Sequence, residues 1–262
     1  MSQDQELEMS VVDHLAELRR VIIISLVATV VMTFVCLAFA NTILEILLDP
    51  ITKTGNEIVY IHVTEALMTK IGIAFFLGFL TALPVTLWQF WGFMLPALRK
   101  MERIYFTVFI IISYLLFIAG ILFGFFAVYD IGIKFLLQFG GPQLIPMISI
   151  GKYVSFTLTF LLPFGLVFEL PLAAFFLAQL GFISHQFMKK NRKYALFISV
   201  VISAAIVPTP DMITPLLMAS PMYLLYEFSV LLVWLVEWNR KRKAKKEAKK
   251  EAERDSDTKL IE

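Results

Sequence analysis

Two carboxyl groups interrupt apolar stretches of this chain, and two more stand beside arginines at the ends of such stretches. Glu169 lies in Phe168-Glu169-Leu170-Pro171, and Glu227 follows Pro221-Met222-Tyr223 in an otherwise apolar run. Glu17 precedes Arg19-Arg20, and Glu102, the sole acid of the connection 95–103, precedes Arg103. A carboxyl among apolar residues costs free energy unless it is hydrogen-bonded or put to use. Two arrangements are open to Glu169. It is either a neutral acid bonded to Gln89, Thr157, Thr159, Ser203 or a carbonyl freed by Pro163 or Pro171, or a polar spot on a water-filled concavity that takes a cationic or polar guest. Glu227 has the same two options. No Lys, Arg or His stands in the middle of any apolar stretch, so neither acid is expected to have a cationic partner within the chain. For Glu17 and Glu102 the simplest arrangement is pairing with adjacent arginines, worth about 0–1 kcal/mol at an exposed site.

Other chemistry finds little to stand on. There is no Gly-x-Ser-x-Gly, no His-Glu-x-x-His, no phosphate-cradling glycine loop and no dinucleotide fingerprint. His14, His62 and His185 fall in three separate connections, and Cys36 is the only cysteine, so neither a metal site nor a disulfide framework is expected. The sequence therefore predicts no catalytic residue, no metal and no cofactor. The alternative to a binding protein is a proton-coupled small-solute transporter with Glu169 and Glu227 as carriers. That reading needs broken helices around a shared polar cavity.

The elements that must position these acids are membrane spans. Of 262 residues, 59% are hydrophobic and 17% charged, a make-up that a soluble core cannot bury. Six apolar stretches cover about residues 21–40, 68–93, 105–129, 154–180, 194–207 and 212–236. Basic residues crowd alternate connections: Arg19 and Arg20; Arg99, Lys100 and Arg103; Lys189, Lys190, Arg192 and Lys193; and the tail from Arg240. The other side offers Lys53, Lys70, Lys134 and Lys152. The positive-inside rule then puts both termini in the cytoplasm of a multi-pass protein of the cell membrane. Arg19-Arg20 followed by an apolar run ending in Ala38-Phe39-Ala40 mimics a cleavable signal, but a run of about 20 residues suits a retained span.

The expected fold is an all-α integral membrane protein, a concave bundle with short fifth and sixth helices. Its parts are a cytoplasmic amphipathic lead-in at 1–20, a six-helix membrane domain at 21–236 and a charged cytoplasmic tail at 237–262. From Arg240 onward there are ten Lys/Arg against six Asp/Glu, which suits weak attraction to anionic lipid and not nucleic-acid binding. In the loop 41–66 a short surface helix is expected to stop before Pro50. Thr64-Glu65 supplies an N-cap candidate and a first-turn acid. From Glu65 to Phe93 a helix would rise about 43 Å, longer than a core of about 30 Å, with Pro84 the place to bend. The stretch 194–207 gives only about 21 Å before the turn Pro208-Thr209-Pro210-Asp211, which favours local thinning of the bilayer.

Taken together, these segments resemble the TatC family, the polytopic subunit of the twin-arginine protein translocase. The likeness covers about residues 12–236. It rests on His14-Leu15-Ala16-Glu17-Leu18-Arg19, Pro84-Val85 with Gln89, Trp91 and Phe93, Pro96-Ala97-Leu98 with Glu102-Arg103, Phe168-Glu169-Leu170-Pro171, Pro208-Thr209-Pro210-Asp211, and Pro221-Met222-Tyr223 with Glu227. The chain departs from the family pattern at Arg19-Arg20-Val21, where a second basic residue is expected in place of Val21, at Tyr129-Asp130 and at Pro215. The resemblance implies a non-enzymatic receptor and scaffold for the export of folded proteins, driven by the proton gradient. It implies that Glu17 and Glu102, flanked by Arg19 and Arg103, receive the paired arginines of a signal peptide. Glu169, with Gln89 and Glu227, would accommodate the inserting peptide or a small single-span partner of the TatA/TatB type. Pro50, Pro96 and Asp211 would be structural. Partners would also include membrane lipid and further copies of the chain within a larger complex.

Overall fold

The computed structural model describes residues 2–53, 55, 58–94, 103–138, 147–206 and 213–259. The chain divides into two compact units, Met1–Gly165 and Leu166–Glu262. Among the described residues, five helical stretches are long and apolar enough to cross a bilayer: His14–Thr52, Glu65–Phe93, Phe106–Lys134, Ile150–Gln179 and Met218–Ala248. Lipid offers no partner to a bare amide, so even β-branched runs such as Val21-Ile22-Ile23-Ile24 close their hydrogen bonds as helix.

The first unit begins with α1 (Ser2–Cys36), which passes through a 3-10 turn (Leu37–Phe39) into α2 (Ala40–Thr52). Ile22, Leu26, Val30 and Phe34 of α1 are exposed, a stripe suited to lipid contact. The opposite face packs along α3 (Glu65–Met94), antiparallel to it: His14 meets Phe93 near one end, and Cys36 Sγ approaches Thr81 Oγ1 at 3.7 Å towards the other. Gly78 makes the approach possible, because a Cβ there would lie 2.4 Å from Thr33 Oγ1 and 2.6 Å from its backbone nitrogen.

The helix expected to stop before Pro50 runs past it. Pro50 lies inside α2, which ends at Thr52. Proline removes one amide donor, but the extra turn buries Ile51 to 1% exposure beside buried Leu47, and that burial offsets the missing bond. Pro84 likewise sits within an unbroken α3.

Beyond α3 come α4 (Arg103–Phe123), a π-helical turn (Gly124–Tyr129), α5 (Asp130–Gln138) and α6 (Ile150–Phe168). Two short parallel strands, β1 (Ile58–Val59) and β2 (Ile148–Ser149), draw the loop after α2 to the start of α6. Tyr129 is fully buried and shares a hydroxyl hydrogen bond with Thr157, which itself donates to the Tyr153 carbonyl at 2.8 Å. The Tyr153 hydroxyl donates to the Leu47 carbonyl at 2.9 Å. Aromatic bulk thus fills this core while every phenol keeps a polar partner.

The second unit carries α7 (Leu170–Gln179), α8 (His185–Lys190), α9 (Arg192–Ile206) and α10 (Ile213–Lys259). Helix α7 packs on α10 through Ala174 and Ala178 against Val230, Val233 and Val236. It ends where Gly181 takes φ +83°, letting Phe182 N–H reach the Leu177 carbonyl at 2.9 Å and Gly181 N–H the Ala178 carbonyl at 3.0 Å. Ser184 then caps α8, accepting from the Phe187 amide. At 15 residues α9 rises about 22 Å, as short as the sequence predicts, whereas α10, also expected to be short, runs for 47 residues because its helix continues into the charged tail.

Candidate functional site

The lead-in of α1 is tied to the end of α3 by the stack of His14 on Phe93, with ring centroids 4.3 Å apart and planes 16° from parallel. Glu17 follows His14 by three residues and so shares its side of the helix; it is half-buried, while Arg19 and Arg20 are exposed. Gln89, also half-buried, lies one turn before Phe93 on α3. The same end of α3 is clamped to α4. Trp91 Nε1–H donates to buried Ser113 Oγ at 3.1 Å, and Trp91 and Trp88 meet Phe109 and Phe106 edge to face at 5.1 and 4.6 Å. Arg103 begins α4. Pro96 and Glu102, in the connection bounded by these two anchored ends, lie outside the described residues, as does Asp211.

Glu169 stands at the break between α6 and α7. Pro171, two residues on, has no amide to continue the ladder, and α7 starts afresh with Ala173 N–H on the Glu169 carbonyl at 2.9 Å. The Glu169 amide is drawn to the Leu166 carbonyl at 3.2 Å, a tightened last turn, and its side chain is half-buried.

Glu227 departs from expectation. No cationic partner was expected for it, yet Arg192 reaches it from the first turn of α9, with Nη2 at 2.8 Å from Oε2. The Tyr223 hydroxyl donates to the other oxygen at 2.7 Å. A count of charges in mid-stretch misses Arg192 because its long side chain carries the guanidinium inward from the helix end. The pair borders a cavity of about 520 Å³ that His185 and Trp234 also line.

A further polar node was only half legible. Glu65 begins α3, where the sequence offers it as a first-turn acid, and its carboxylate also joins three separate segments. One oxygen accepts from the Ser149 hydroxyl and from the Gly151 amide at 2.8 Å; the other accepts from the amides of Ile61 at 2.7 Å and His62 at 3.2 Å. The 84-residue separation from Ser149 leaves no local pattern by which it could be foreseen.

The family model for the Sec-independent protein translocase protein (TatC) matches residues 13–221. The Sec-independent protein translocase protein TatC of Carboxydothermus hydrogenoformans is 50% identical over 85% of this chain and 91% of its own length. That of Aquifex aeolicus is 40% identical over 86% and 94%, respectively. A crystal structure of the twin-arginine translocase receptor TatC superposes with a TM-score of 0.76 at 39% identity, covering 86% of this chain and 99% of that one. A second, in the detergent DDM, gives 0.75. With most of the chain superposing on that solved fold and the family match running from the α1 lead-in to Pro221, this multi-pass membrane chain belongs to the TatC family of Sec-independent protein translocase proteins.

Proposed function

We propose that this chain is the signal-receiving subunit of a twin-arginine translocase in the cytoplasmic membrane, with six spans and both termini on the cytoplasmic side. Glu17 and Glu102, flanked by Arg19 and Arg103, receive the two guanidiniums of an export signal. Each guanidinium offers a planar fork of N–H donors that a carboxylate meets with both oxygens, a match that a lysine ammonium does not reproduce. The observation that carries this reading is the His14–Phe93 stack. It ties the helix bearing Glu17 to the helix end from which the chain departs towards Glu102. The tryptophan clamp on α4 holds the far side of that connection.

Glu169, at a break that frees backbone acceptors, serves the inserting apolar stretch of the signal or the helix of a small single-span subunit of the TatA/TatB type. Gln89 belongs to the α1–α3 face beside the signal site. Glu227, held by Arg192 and Tyr223, is an internal polar tie near the partner surface. Pro50, Pro84, Pro96 and Asp211 shape the backbone between these groups. The proton gradient drives transport, and several copies act within a larger complex.

The test is Glu102→Gln. Losing one charge-assisted fork costs about 1.5–3 kcal/mol of signal binding, so export of a twin-arginine reporter should fall at least roughly tenfold. The amount of the variant in the membrane and its melting temperature in detergent should stay unchanged. Normal export by that variant would contradict the assignment.

A further inference from the structure

On the flank of the α7–α10 seam lies a cavity of about 530 Å³ that the signal-binding account does not use. Its floor is Phe175, Leu232 and Leu235, all half-buried, and its rim is Gln179, Asn239 and Arg240, all exposed. The order along α10 is the informative part. Leu232 and Leu235 belong to the apolar run that ends at Val236, and Asn239 and Arg240 are the next turn. The cavity therefore passes from apolar to cationic over about 12 Å along the helix axis, the direction in which a phospholipid passes from acyl chain to headgroup.

The guanidinium is placed for this. The Gly181 turn that ends α7 lies under Arg240, and a Cβ on that glycine would meet Nη1 at 3.6 Å, so the arginine sits over a turn of fixed shape. Among the described residues Arg240 has no carboxylate partner. The nearest acid along α10, Glu237, accepts the His185 amide at 2.8 Å. Exposed Lys241 and Arg242 follow, the latter over the Trp238 ring at 5.4 Å. The rim sets a cation beside the side-chain amides of Gln179 and Asn239, which suits a headgroup of net negative charge better than a zwitterionic one, whose own cation it repels.

We infer that this cavity is a binding site for one anionic phospholipid of the leaflet on the Arg240 side. The phosphate sits on Arg240 with Gln179 and Asn239 as further donors, and an acyl chain lies over Phe175, Leu232 and Leu235. Such a lipid fills the flank of the α7–α10 seam and holds the second unit at a set depth. It acts independently of signal recognition.

The experiment is native mass spectrometry of the full chain in detergent, titrated with dioleoylphosphatidylglycerol or dioleoylphosphatidylcholine. The wild type should retain one phosphatidylglycerol at collision energies that strip phosphatidylcholine. Arg240→Gln should weaken that retention roughly fivefold, as expected for loss of one surface cation. Leu235→Trp, which fills the floor and keeps the charge, should weaken it too. Lys241→Gln, outside the cavity, should weaken it far less. Equal retention of the two lipids by the wild type would overturn the proposal, and so would wild-type retention by Arg240→Gln. An equal loss in Lys241→Gln would mean diffuse attraction to the tail, and it too would sink the site.

Discussion

Glu65 receives donors from the loop before α3, from β2 and from the start of α6, and all four suit an ionised carboxylate, which is an acceptor on both oxygens. Glu65→Gln keeps the shape but turns one of those oxygens into a donor facing two amides or a hydroxyl and an amide. We expect a lower melting temperature in detergent and faster hydrogen exchange at the Gly151 amide, with α1 to α4 otherwise unaltered. Wild-type protection at Gly151 would show that the node is incidental. Single residues were legible in the sequence to the extent that their partners were local. Glu17 beside Arg19-Arg20 and Glu169 beside Pro171 stand out because their neighbours give them meaning. The Ser149 partner of Glu65 and the Arg192 partner of Glu227 lie 84 and 35 residues away, and only folding reveals them.

Helix against helix, α1 and α3 come close at Gly78, where a Cβ would meet the Thr33 hydroxyl and, at 2.6 Å, its backbone nitrogen, which cannot swing aside as a side-chain end can. Gly78→Ala therefore forces α1 and α3 apart, at a cost of about 1–3 kcal/mol. The readout is a drop in the melting temperature in detergent, whereas Gly72→Ala, which opens onto empty space, should show none. Equal melting of the two variants would mean that α1 and α3 do not depend on this contact. Hydropathy made the long helices and the short α9 legible, because in lipid the run length alone sets what can span. It did not show that α2 would carry Pro50 inside it, since the burial of Ile51 that offsets the lost bond is a tertiary effect. Nor did it show the π-helical turn at Gly124–Tyr129, which rests on how Tyr129 packs among Phe125, Tyr153 and Phe160.

At the scale of the whole chain, the two units divide the labour proposed for them. Met1–Gly165 carries the α1 lead-in, the anchored end of α3 and the start of α4; Leu166–Glu262 carries Glu169, the Arg192–Glu227 pair and the lipid cavity. Family membership was legible because several short strings keep their spacing over most of the chain, each built around a group that apolar spans otherwise exclude. The central claim is that the receptor discriminates guanidinium from ammonium. The most direct measurement is binding of a fluorescent twin-arginine signal peptide to the purified full chain, against the same peptide with twin lysines. We predict at least roughly tenfold tighter binding of the arginine peptide, a difference that Glu17→Gln and Glu102→Gln each abolish. Equal binding of the two peptides by the wild type, or discrimination that survives both substitutions together, would contradict it.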